Sequence, residues 1–178
     1  GKTRVVAARV VNILRKGLGS GISPENIVAF TFTDKAAAEL KDRITRFYKD
    51  EFGHVEGLAG MYVGTIHGFC LVLLQRYLFR YLKYDVLDEV RQRLLVDRNY
   101  RKSGMASVSL KRWVESDLYL TLLRILREAE ADPALLDGHR VRLALGTYQD
   151  LLDSHRYLDY DEILLRAVGD RPGRLAGE

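Results

Sequence analysis

The sequence predicts an α/β chain that is predominantly helical, with the α/β part first and a helical block after it. Three observations carry that prediction. Asn26–Thr33 is an eight-residue run holding Ile27, Val28, Phe30 and Phe32, and it leads directly into the Ala-rich amphipathic stretch Asp34–Phe52. Apolar runs of this length bounded by turn residues suit a buried parallel strand, and the following 3.6-residue spacing suits a helix. Met61–Thr65 repeats the strand signal after a loop marked by Gly53, Gly57 and Gly60. From Ile66 onward the apolar spacing is helical throughout.

Taken in order, Thr3–Lys16 carries Val5, Val6, Val10, Val11, Ile13 and Leu14 at broadly helical spacing, and Gly17–Gly21 ends it. Ser23-Pro24-Glu25 leads into the first strand. Asp34 stands where an N-cap belongs, and Ala37, Leu40, Ile44 and Phe47 form one face of the helix it opens. Tyr62–Ile66 is the second strand. Phe69–Leu82 is a strongly apolar helix with Arg76 and Arg80 on its polar side. Asp85–Tyr100 reads as another helix, Ser103–Ser109 as a polar break, and Leu110–Ala131 as a long helix containing Trp113, Leu118, Leu122, Ile125 and Leu126. Asp132-Pro133 ends it, because proline cannot continue a helix but fits the first turn of the next. Arg140–Ser154 and Asp159–Val168 are the last helices, and Gly169–Glu178 is expected to be a mobile tail.

The bulk numbers set wider bounds. The 178 residues are 47% hydrophobic, enough for a real core. The net charge of +4 and a pI near 9.2 are compatible with a polyanion partner without requiring one. The single cysteine, Cys70, excludes an intrachain disulfide, fits a reducing compartment, and sits in an apolar run where packing is its expected role. No apolar run approaches the ~18 residues of a membrane span, and no signal-peptide pattern is present.

Three short segments bear on chemistry. A strand that ends in hydroxyls and opens a helix aims backbone N–H groups and the positive end of the helix dipole at whatever lies beyond, most often phosphate. Thr31-Phe32-Thr33 has that character, and Thr65-Ile66-His67-Gly68-Phe69-Cys70 follows the second strand in the same way. Gly1-Lys2-Thr3, ahead of an apolar helix, matches the tail of the phosphate loop G-x-x-x-x-G-K-[ST]. The acidic cluster Asp159, Asp161 and Glu162 reads as an N-cap with a charged first helical turn. His54, His139 and His155 have no metal-ligand spacing with Cys70, so neither zinc nor haem is expected.

Taken in order, GKTR, AFTFTDKAAAEL, GTIHGFC and LDYDEILL resemble the first motor domain of superfamily 1 DNA helicases of the UvrD/Rep type, where they correspond to motifs I, Ia and Ib and the segment before motif II. The resemblance implies a partial RecA-like domain over residues 1–68, an all-helical insertion over 69–158 and a return segment over 159–178. It implies ATP and Mg²⁺ as cofactors. Gly1, Lys2, Thr3 and Arg4 would lie at the nucleotide, with Lys2 catalytic at the β and γ phosphates and the Thr3 hydroxyl on the metal. It places Phe32, Thr33, Lys35, Thr65 and His67 on single-stranded DNA, Phe32 as a stacking platform unless it is a core strand residue. Lys111, Arg112, Arg124 and Arg127 form a basic face that meets either a duplex or solvent.

The activity implied is ATP-driven 3′-to-5′ translocation on single strands and at single-strand/duplex junctions. A bacterial, cytoplasmic, nucleoid-associated protein with repair or recombination partners is implied with it. Motif II is expected to be absent from these residues, as are the front of the phosphate loop and the arginine finger, so the 178 residues alone are expected to be inactive. The two strands are not expected to be sheet neighbours, and the α/β part is expected to be partly disordered or rearranged. Two alternatives remain at this point: a helical DNA-binding or protein-interaction module without motor ancestry, and a different phosphate-loop enzyme such as a small-molecule kinase.

Overall fold

The computed structural model describes residues 2–17, 19–128 and 140–169. The chain divides into two compact units, Gly1–Val72 and Leu73–Glu178. Among the described residues the architecture is mostly helical with two small parallel sheets, and no helix is long and apolar enough to cross a membrane.

In the first unit α1 (Lys2–Gly17) and α2 (Asp34–Phe52) pack on each other. Ala7, Val10, Val11 and Leu14 recur at helical spacing on α1 and meet Leu40, Ile44 and Tyr48 of α2, with Leu58 and Met61 closing the cluster. Each valine, leucine, isoleucine or methionine so buried contributes about 1.5–3 kcal/mol. Gly53 ends α2 in the left-handed region at φ 77°, its N–H donating to the Lys49 carbonyl at 2.8 Å. A side chain there would strain the backbone.

Strand β1 is Val28–Phe30, shorter than the run that announces it. Asn26 is held in a 3₁₀ turn, where its Oδ1 accepts from both the N–H and the hydroxyl of Ser23. Strand β2 is Tyr62–Gly64. The two pair in parallel, Val28 against Tyr62 through Phe30 against Gly64. This corrects the expectation that they would not be neighbours. The link between them is helix α2, long enough for the crossover that parallel pairing needs. Ile27, Ala29 and Val63 then pack against the α1–α2 core, which fixes the pair.

The second unit holds a 3₁₀ segment (Phe79–Lys83), β3 (Asp85–Val86), α4 (Glu89–Arg98), α5 (Ser116–Glu128), α6 (Arg140–His155), β4 (Tyr157–Leu158) and α7 (Tyr160–Gly169). Helix α3, Ile66–Tyr77, runs across the division between the units. Several boundaries differ from the sequence reading. The helix expected to reach Leu82 stops at Tyr77, and Arg80 instead lies over the Tyr81 ring, 4.8 Å from its centroid.

Asp85 and Val86, expected in a helix, pair in parallel with Tyr157 and Leu158. Helix α4 starts only after Asp88, whose carboxylate accepts from the Arg91 N–H at 2.8 Å as an N-cap. The helix expected from Leu110 begins at Ser116. The core gathers Leu87, Leu95, Val96, Met105, Tyr119, Leu123, Ala144, Tyr148, Leu151 and Leu152. Gly104 sits at φ 83° against α6, where an added Cβ would lie 2.8 Å from the Ala144 backbone. The expected helix end at Asp132-Pro133, His139 and the tail after Gly169 fall outside the described residues.

Candidate nucleic-acid interface

The parallel pair places two strand-to-helix turns side by side. The Thr31 N–H donates to the Gly64 carbonyl at 2.9 Å, extending the ladder one residue past β1. Thr31-Phe32-Thr33 and Thr65 therefore leave the sheet at the same edge, the carboxyl ends of its strands. Ligands of open α/β sheets bind at that edge.

Each turn is held by a threonine. The N-cap of α2 is Thr33, not Asp34: its hydroxyl accepts from the Ala36 N–H at 3.2 Å, and Asp34 is the first helical residue. The Thr31 hydroxyl donates to the Thr33 carbonyl at 3.0 Å and tightens the turn. Thr65 caps α3 in the same manner, accepting from the Gly68 N–H at 3.1 Å, while its carbonyl accepts from the Phe69 N–H and the Tyr62 hydroxyl, both at 3.0 Å.

A feature not legible in the sequence supports this edge. Tyr62 packs with Phe69 and Phe30, ring centroids 4.9 and 6.3 Å away, and lies across two glycines. A Cβ on Gly64 would stand 2.5 Å from the Tyr62 oxygen, and one on Gly68 2.8 Å. The contact is fixed only by the fold. Burial, and then the nearby Asp34 carboxylate and Cys70, push the Tyr62 phenol above its ordinary value, so it stays a neutral donor. Burial also raises the Cys70 thiol, away from nucleophile behaviour.

Phe32 is 103% exposed, so it is not a core strand residue. Lys35 is exposed on the first turn of α2, and His67 lies half-buried on the first turn of α3. The fold thus brings Phe32, Thr33, Lys35, Thr65 and His67 to one sheet edge. Lys2, Thr3 and Arg4 form the first turn of α1, with Lys2 and Arg4 exposed. Among the described residues no hydrogen bond or ion pair joins them to the two turns. The first turn of α1 carries no acidic residue, which suits an anion at its N-terminus, and the Thr3 hydroxyl and Lys2 ammonium are the donor set a metal-bound nucleotide needs. Gly1 lies outside the described residues.

In the second unit the acidic cluster has a different use. Asp159 does cap α7, accepting from the Glu162 N–H at 2.8 Å. It also meets Arg127, expected on a basic face toward duplex or solvent, whose side chain is in fact only 3% exposed. The Arg127 guanidinium reaches Asp159 at 3.0 Å, Asp161 at 2.8 Å and Glu162 at 3.7 Å. Tyr148 and Gln92 each donate to Asp159 Oδ2 at 2.9 Å. Burial works against the Arg127 charge, and the Asp159 and Asp161 carboxylates more than restore it, raising its pKa. The helical period could not separate Arg127 from Arg124, which is exposed as expected.

A mostly helical fold with small parallel sheets is compatible with part of a helicase N-terminal domain. The chain belongs to the UvrD/REP helicase N-terminal domain family, whose profile matches residues 1–169. It is 25% identical, over 94% of its length, to the ATP-dependent DNA helicase PcrA of Staphylococcus aureus (strain Mu50 / ATCC 700699). It is 26% identical over 93% to a probable DNA helicase II homolog of Rickettsia conorii, and 28% identical over 95% to the ATP-dependent DNA helicase UvrD1 of Mycobacterium leprae. The matched part is 23%, 25% and 22% of those relatives, so the chain spans about a quarter of their length. Membership in a helicase family corrects the alternative of a helical module without motor ancestry.

Proposed function

We propose that these residues form one wall of the nucleotide cleft and one stretch of the single-strand track of an ATP-dependent 3′-to-5′ DNA helicase. In this reading residues 1–68 are the RecA-like part, 69–158 a helical insertion and 159–178 the return toward the rest of the motor. Bound Mg²⁺–ATP supplies the phosphoanhydride whose hydrolysis drives movement. Lys2 binds the β and γ phosphates, Thr3 offers its hydroxyl to the metal, and Arg4 approaches the nucleotide, with Gly1 as the loop residue before them. Phe32 stacks on a base, and Thr33, Lys35, Thr65 and His67 bind the strand beside it. The substrates are single strands and single-strand/duplex junctions. The whole protein works on the bacterial nucleoid with repair or recombination partners.

The observation that carries this reading is the Thr31–Gly64 hydrogen bond, which sets the two turns together with Phe32 fully exposed beyond them. Fully exposed aromatics beside helix N-termini are how single strands are held without sequence preference. Phe32→Ala is expected to weaken binding of a fluorescein-labelled oligo(dT), read by anisotropy at low salt, by roughly 5- to 150-fold. It should leave urea unfolding within about 0.5 kcal/mol of the parent. An unchanged affinity would remove Phe32 from the track.

The same reading has these 178 residues silent in ATP turnover by themselves. Hydrolysis in the family this chain resembles uses an adjacent Asp-Glu pair that directly closes an apolar strand. The three Asp-Glu pairs, Asp50-Glu51, Asp88-Glu89 and Asp161-Glu162, all lie on or at the start of helices. DNA-stimulated phosphate release by the purified 178 residues would overturn this.

A further inference from the structure

Between α4 and α5 the chain builds a loop around a buried carboxylate. Asp97 of α4 is 2% exposed. Its Oδ1 accepts from the Trp113 N–H at 2.8 Å and the Ser116 hydroxyl at 2.5 Å, and its carbonyl accepts from Arg112 Nε at 2.6 Å. The Tyr100 hydroxyl donates to the Leu110 carbonyl at 2.8 Å and ties the far end of the loop back. These bonds hold Trp113 at φ 67°, a left-handed conformation that a bulky residue adopts only when its surroundings impose it.

The side chain so displayed is not packed away. Trp113 is 56% exposed and Val114 75%. The pinned Arg112 guanidinium lies over the indole, 4.9 Å from its centroid. From Arg98 to Val114 the chain carries five basic residues (Arg98, Arg101, Lys102, Lys111 and Arg112) and no acidic one. All five are exposed. The nearest carboxylates in sequence are engaged: Glu115 accepts from the Lys111 N–H, and Asp117 pairs with Arg93. A core role would bury the indole, and a purely solvated turn would not require a strained tryptophan.

We propose that the Arg112–Trp113 pair is a second single-strand contact, separate from the sheet edge, in which an unpaired base stacks on the indole and the flanking phosphates meet Arg101, Lys102 and Lys111. Charge complementarity selects a polyanion, and a flat aromatic rather than a groove selects an exposed base face. The inference rests on the single-strand reading above and adds a site to it.

Trp113 is the single tryptophan of the chain, so its emission reports this site alone. The 178-residue protein is titrated with oligo(dT) while anisotropy of a labelled strand follows total binding. Quenching of Trp113 emission that saturates with the anisotropy change is expected. Trp113→Ala should weaken binding roughly 5- to 150-fold. Lys102→Gln with Lys111→Gln should lower the slope of log affinity against log salt by about 0.7 for each residue that meets a phosphate. Binding with unchanged emission, abolished by Phe32→Ala and indifferent to Trp113→Ala, overturns this site and leaves the sheet-edge reading standing. Quenching by blunt duplex as strong as by oligo(dT) overturns the unpaired-base assignment. Emission that responds to protein concentration but not to DNA assigns the loop to self-association and overturns it too. The absence of any anisotropy change overturns the single-strand reading and this inference with it.

Discussion

The two units of this chain treat polar groups in opposite ways. Up to Val72 the core is apolar, and the polar side chains lie on the outer faces of α1 and α2 and at the open ends of two strands. Beyond Leu73 charge is taken inside: Arg127 with Asp159, Asp161 and Glu162, Asp97 beneath a loop, and the hydroxyls of Tyr119 and Tyr148 within the core. In the first unit the polar side chains at the strand ends cap helices and tighten turns at the surface. In the second they hold helices in register, because a buried charge without its partner is far more costly than the pair.

The sharpest way to break that comparison is to remove Arg127. Arg127→Ala leaves the buried Asp159 carboxylate without its cation and should lower stability by about 3–5 kcal/mol, read from urea unfolding by circular dichroism. Arg124→Ala, on the same helix but exposed, should stay within about 0.5 kcal/mol. Equal effects for the two would mean that the buried cluster holds nothing together.

Alkaline pH probes the same core. Burial raises the phenols of Tyr119 and Tyr148 above their ordinary value of 10, and for Tyr148 the Asp159 carboxylate adds to it. Below pH 10 both tyrosines are neutral folded and unfolded, and their contribution is intact. Above it the unfolded chain releases protons that the folded chain keeps, so stability falls as pH rises. The slope is about 1.4 kcal/mol per pH unit for each tyrosine. Tyr148→Phe should flatten the fall measured between pH 10 and 11, and an unchanged slope would place the titration elsewhere.

The smallest expected effects lie at the sheet edge. Thr33→Ala and Thr65→Ala each remove a helix cap and should cost about 1 kcal/mol. Thr→Ser, which keeps the hydroxyl, should restore stability. If the serine variants regain stability without regaining affinity for oligo(dT), the threonines do more at the strand than cap a helix.

Much of the first unit is legible in the sequence. Helix α2 spans Asp34–Phe52 as its apolar face predicts, and both strand signals are strands, though each shorter than its run. The cap was misplaced by one residue because Thr33 and Asp34 are both good caps, and only backbone dihedrals choose between them. The hydroxyl-rich turns were visible as sequence. That they lie side by side was not, since pairing depends on which faces the helices bury. In the second unit the helices were legible and their ends were not. Asp85 and Val86 look helical locally but pair with residues some seventy positions away. Leu110 to Glu115 look helical until Asp97 claims the Trp113 N–H.

The sequence by itself determined the order of strands and helices in the first unit, the helical character of the second, and the family. Those are properties of spacing, and spacing is one-dimensional. Tertiary structure alone decided that β1 and β2 adjoin, that Arg127 is inside while Arg124 is outside, and that Trp113 faces solvent on a strained backbone. Each of those depends on a partner distant in the chain, and local periodicity carries no record of which distant group will take up a hydrogen bond or a charge.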